Sequence, residues 1–114
     1  MKREIGDYID DMTTAMDKAM NFIENMSYKD FMHDDRTIFA VVRALEIIGE
    51  AAKNIPNNVR DVYPEIPWRD MSGMRDKVIH EYFGVNLKIV WKTVKDSIPK
   101  LRPMFSKILK DLED

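Results

Sequence analysis

An all-α fold, an up-and-down bundle of four to five main helices with short helical connectors, is expected for this chain of 114 residues. Apolar residues recur at steps of three and four over long stretches, as one face of a helix requires. Capping residues and prolines punctuate those stretches, and no segment shows the two-residue alternation of a half-buried strand. The length suits one domain, spanning 1–114, with a single core.

Ile5, Tyr8, Ile9, Met12, Met16, Ala19, Met20, Ile23 and Met26 form one stripe and predict a first helix over about 3–26, its methionines serving core or interface packing. Ser27 and Asp30 resemble a capping box and open a short helix over 28–32. Asp34 and Asp35 offer caps for a second long helix, about 35–54, with Ile38, Val41, Val42, Leu45, Ile48, Gly49, Ala52 and Ile55 on its inner face. Gly49 there implies a close neighbour, since glycine otherwise weakens a helix. Pro56, Pro64 and Pro67 divide the next stretch into brief helices around 57–62 and 67–71, with Trp68 anchoring the connector. A central helix follows at 73–83 and stops at Gly84. Asn86 caps a helix carrying Leu87, Val90, Trp91, Val94 and Ile98 inward. Pro99 and Pro103 should kink or split it, with Ser97 capping a final segment over 99–112.

Composition excludes several chemistries. The chain has no Cys, which removes disulfides, thiolate metal sites and a cysteine nucleophile; with only His33 and His80, a His-rich metal site is not expected and no metal is assigned. No apolar run approaches membrane-spanning length and no signal peptide is evident, so a cytoplasmic location without membrane attachment is the expectation. The net charge of −2 argues against coating nucleic acid by bulk electrostatics. The charge is uneven, however. Residues 1–35 hold nine acidic and four basic side chains, whereas 86–110 hold Lys88, Lys92, Lys95, Lys100, Arg102, Lys107 and Lys110 against Asp96. That basic stretch is either a solvated face or a path for RNA.

The central helix breaks the rule for where charges belong. At about 100° per residue, Met74, Val78, Tyr82, Ile79 and Phe83 span one apolar arc, and Arg75 falls inside it. A guanidinium on an apolar face needs a carboxylate partner, an interface or an anion, unless its stem carries it to the surface. Asp76 and His80 are an i,i+4 pair in which the carboxylate can orient or charge the imidazole. Arg75 and Tyr82 lie two turns apart on nearly one line. On the second long helix, Glu46 and Glu50 share a face with Arg43 and Lys53. Either these cations neutralise them, or one Glu reaches across to Arg75. Cleaving RNA without a metal needs a base for the 2′-OH and a cation for the phosphorane, the residue types of His80 and Arg75. Side chains at i,i+5 diverge by about 140°, so two copies across a two-fold axis converge on a phosphate better than one.

Arg75, His80 and Tyr82, spaced R-x4-H-x-Y within the run Trp68–Val85, closely resemble the signature of HEPN domains, in particular the HepT-like toxins. Gly49-Glu50-Ala51-Ala52 and Val90-Trp91 fit the same pattern, although many relatives carry Asn where this chain has Asp76. The resemblance implies a metal-independent endoribonuclease toxin, with Arg75 and His80 catalytic at a homodimer cleft and RNA as substrate. It also implies a minimal nucleotidyltransferase antitoxin as partner, which AMPylates Tyr82. No cofactor is implied. Asp76, Glu46 and Glu50 are the expected supporting residues. The competing readings are a non-catalytic HEPN adapter or nucleotide-binding partner of a nucleotidyltransferase, and a purely structural dimeric bundle.

Overall fold

The computed structural model describes residues 3–74 and 86–113, and within them every regular element is helical. The expected all-α architecture is what forms.

Helix α1, Ile5–Phe22, starts at a reciprocal capping box between Glu4 and Asp7. It ends earlier than the apolar stripe suggests, because Asn25 adopts a left-handed conformation (φ 64°) that an α-helix cannot contain and that Asn tolerates. Helix α2, Tyr28–Met32, has the expected box: Ser27 Oγ accepts from Asp30 N, and Asp30 Oδ2 accepts from Ser27 N, each at 3.1 Å. Helix α3, Asp35–Lys53, is capped by Asp34, whose Oδ1 accepts from Thr37 N at 3.1 Å.

The connector forms α4, Asn57–Arg60, and α5, Trp68–Ser72. Pro56 and Pro67 stand at the N-cap of these helices, one residue before the N1 position that proline favours in helices generally. Trp68 is buried, and its indole N–H donates to Tyr63 O at 3.0 Å while its ring meets Phe105 edge-on at 5.5 Å. The sequence returns from residue 86 with α6, Leu87–Lys92, whose cap Asn86 accepts from Ile89 N at 3.3 Å.

The last stretch differs most from expectation. Of the two outcomes expected at Pro99 and Pro103, a kink or a split, the split does not occur: the chain runs from α6 through a π-helical turn, Thr93–Ser97, directly into α7, Ile98–Glu113, with Pro103 inside it. A proline ring clashes with the carbonyl four residues earlier, which for Pro99 is that of Lys95. The wider π turn lies over that carbonyl, so the clash falls where the backbone has already left α geometry. Ser97 therefore closes the π turn and caps nothing.

The core runs through all the longer elements. Ile9, Met12 and Met16 of α1, Val41, Leu45 and Ile48 of α3, Met71 of α5, Val90 of α6, and Ile98, Phe105 and Ile108 of α7 are essentially inaccessible to solvent. Arg102 of α7 grips Asp17 of α1 with both arms of its fork, at 2.8 and 3.1 Å. Trp91, half-buried, stacks on Phe31 at 5.4 Å and Tyr28 at 6.1 Å, which seats α2 on α6. Phe31 itself is fully buried. No helix among the described residues is long and apolar enough to cross a membrane.

Candidate functional site

Arg75, Asp76, His80 and Tyr82 lie outside the described residues, as does the stretch from position 75 onward of the central helix expected over 73–83. The structure defines instead the two ends between which that segment is carried. One end is α5, which runs from Trp68 to Ser72 and closes at Gly73 with N–H donation to Arg69 O at 3.1 Å. The other is Asn86 at the start of α6.

A cavity of about 580 Å³ opens between these ends. Met71 and Met74 line it on one side, and Ile89, Val90 and Leu101 on the other. Arg69, Asp70, Thr93 and Ser97 add polar groups to this apolar lining. The Thr93 hydroxyl is committed to Ile89 O at 2.8 Å.

The two glutamates expected to support the motif sit on α3. Glu46 is partly buried and its Oε2 lies 3.4 Å from Arg43 Nη1, so the neutralising neighbour weighed from the sequence is present for this residue. Glu50 is exposed and lines a second, smaller cavity of about 190 Å³ with Arg3, Tyr8, Asp11 and Arg43. In that corner Arg3 pairs with Asp11 at 2.8 Å and lies over the Tyr8 ring at 4.8 Å.

Two residues that sequence reasoning passed over fasten the connector. The Arg60 guanidinium, half-buried, donates from Nε to Ile55 O at 2.9 Å and from Nη2 to Ala52 O at 2.8 Å and to Ser72 Oγ at 3.0 Å. Its carbon lies 6.0 Å from the centre of the Trp68 ring. An arginine just beyond a long helix commonly takes the last carbonyls of that helix, so position 60 carried a usable signal. Tyr63 carried none: its hydroxyl donates to Asp111 Oδ2 at 2.7 Å, across 48 positions of sequence. That bond, with burial second, pushes the phenol up to about 12.

The basic stretch is also modified by the fold. Arg102 is spent on Asp17, but Lys88, Lys92 and Lys95 stand exposed on α6 and the π turn, with Lys95 Nζ 5.8 Å from the centre of the Trp91 ring. Among the described residues no group of three or more His, Asp or Glu is placed to hold a metal ion.

An all-helical chain that presents an R-x4-H-x-Y segment between two anchored ends is consistent with a HEPN-type domain, and comparison with known proteins makes the class specific. The profile of one family, described as Ribonuclease HepT-like, matches residues 12–108. A probable ribonuclease HepT of Thermococcus cleftensis is 52% identical over 110 residues, which cover 96% of this chain and 100% of that protein. A candidate RNase of Methanocaldococcus jannaschii is 46% identical over 113 residues, covering 99% of this chain and 97% of its own. Another, of Caldanaerobacter subterraneus subsp. tengcongensis, is 41% identical over 102 residues, covering 90% and 91%. No solved structure matches the chain significantly. The chain belongs to the HepT-like ribonuclease family.

Proposed function

We propose that the protein is a metal-independent endoribonuclease, the toxin of a toxin–antitoxin pair, with Arg75 and His80 as its catalytic residues. The observation that carries this reading is the R-x4-H-x-Y run in a chain that belongs to a ribonuclease family over almost its whole length. In the reaction His80 takes the proton of a ribose 2′-OH and the 2′ oxygen attacks the adjacent phosphorus. Arg75 neutralises the charge that develops on the phosphorane oxygens. The bond from phosphorus to the 5′ oxygen breaks, that oxygen takes up a proton, and the products end in a 2′,3′-cyclic phosphate and a 5′-OH. Asp76 supports His80 as its i+4 neighbour, and Glu46 or Glu50 holds Arg75. Two protomers contribute to one cleft.

The partner is a minimal nucleotidyltransferase. The Tyr82 oxygen attacks the α-phosphorus of ATP, pyrophosphate leaves, and the attached AMP brings a negative charge and bulk beside the anion site. Tyr82→Phe then stays active in the partner's presence, whereas the wild type gains one adenylyl group by mass and loses activity. A methionine-rich first helix would suit a protein-binding adapter if its methionines faced outward, but Met12 and Met16 are fully buried in the core.

The deciding experiment incubates purified protein with RNA in the presence of a chelator. Wild type is expected to give 5′-OH ends, and His80→Ala and Arg75→Ala to give none while melting like the wild type. Cleavage that persists in His80→Ala, or that vanishes with chelator, would overturn the reading.

A further inference from the structure

We propose that Arg60 is a positioning residue for the catalytic segment and that it acts through the Ser72 hydroxyl. The proposal rests on the ribonuclease reading and adds to it a residue outside the R-x4-H-x-Y run.

Arg60 makes more contacts than closing a helix requires. The bonds to Ala52 O and Ile55 O satisfy carbonyls at and just beyond the end of α3, where a cation is favoured by the helix dipole. Those two bonds alone would finish α3. The third, from Nη2 to Ser72 Oγ at 3.0 Å, reaches twelve positions along the chain to the last residue of α5. Ser72 stands three positions before Arg75. The same side chain therefore ties the end of the longest described helix to the point from which the catalytic segment departs.

The fork is what makes this possible. A planar guanidinium presents donors in fixed directions from separate nitrogens, so one Arg holds two carbonyls and a hydroxyl at once, whereas the three donors of Lys share one freely rotating nitrogen and span less space. The Trp68 ring lies beside it, buried and with its own N–H bonded to Tyr63 O, so the clasp rests on a packed aromatic ring. Cleavage depends on where Arg75 sits relative to the phosphate, and displacements of about 1 Å in a catalytic group can cost on the order of a hundredfold in rate. Helix α5 is otherwise held by Trp68 and Met71, both buried, so loss of the hydroxyl bond leaves the fold in place and frees only the departure point.

The test compares Ser72→Ala, Ser72→Thr, Arg60→Met and the double variant Arg60→Met/Ser72→Ala in RNA cleavage, thermal melting and amide exchange. Ser72→Ala is expected to lower kcat about tenfold with KM and melting temperature close to wild type, and Ser72→Thr, which keeps the hydroxyl, to restore kcat to within about twofold. In the Arg60→Met background the alanine change should cost nothing further, because the two residues act as one contact. Wild-type kcat in Ser72→Ala, or full additivity in the double variant, overturns the proposal. Should the wild type cleave no RNA, the ribonuclease reading falls by itself, and exchange still decides the clasp. Faster exchange from Gly73 onward in Ser72→Ala upholds it, and unchanged exchange removes it.

Discussion

Tyr63 shows how a single side chain joins distant parts of this molecule. Its hydroxyl donates to Asp111 Oδ2 at 2.7 Å, and the folded phenol titrates at about 12. A group whose folded pKa lies above its unfolded value of 10.0 stabilises the fold fully below that value and loses the contribution as pH rises towards about 12. Tyr63→Phe is therefore expected to cost about 1 kcal/mol near neutral pH, with the gap to wild type closing between pH 10 and 12. Chemical denaturation at a series of alkaline pH values reads this directly. Neither this bond nor the reach of Arg60 to Ser72 was legible in the sequence, since each depends on two residues meeting through the tertiary fold; only the bonds of Arg60 to the end of α3 left a local signal. Trp68 was legible as an anchor, because an indole in a proline-rich connector has few other uses. The motif residues Arg75, His80 and Tyr82 were legible through spacing and family pattern, and their placement falls outside the described residues.

The helices themselves were largely written in local chemistry. The Ser27–Asp30 box, the Asp34 cap and the Asn86 cap all stand where side-chain type and spacing put them. Asn86→Ala should cost about 1 kcal/mol, as loss of an N-cap does elsewhere, and denaturant titration measures it. Asp34 adds a pH signature. The Thr37 backbone N–H holds its carboxyl below the ordinary value of 3.8, so its contribution is present above that value and lost as pH falls through the lower folded one. What the local rules left open was the last helical path, where two prolines suggested a kink or a split and no split occurs. Packing overrides them. Val90, Val94, Ile98, Leu101, Phe105 and Ile108 keep one buried face through the π turn, and that turn absorbs the proline defect without interrupting the face. On the opposite side, Lys88, Lys92 and Lys95 are exposed. If they follow the phosphates of an RNA strand, replacing all three by Gln raises KM and flattens the dependence of log KM on log salt by about 2, from a slope of about 0.7 per contact. An unchanged salt slope in a cleavage assay would mark them as a solvated face.

At the scale of the whole molecule, one continuous core links α1, α3, α5, α6 and α7. Phe105 belongs to it, fully buried and edge-on to Trp68. Phe105→Ala should cost about 3–5 kcal/mol, a large part of the roughly 5–15 kcal/mol that holds a domain together, and thermal melting would show it. The proposed two-protomer cleft makes a separate prediction. Arg75→Ala and His80→Ala proteins, each inactive alone, should regain cleavage when mixed, because a mixed dimer rebuilds one composite pair. No activity in a mixture shown to exchange subunits would confine the site to one chain. The first and last described helices are also clamped together by Arg102 and Asp17, 85 positions apart. During synthesis α1 can therefore settle on α3 early, but its side that meets the last helix stays open to solvent until Leu101, Phe105 and Ile108 have been made.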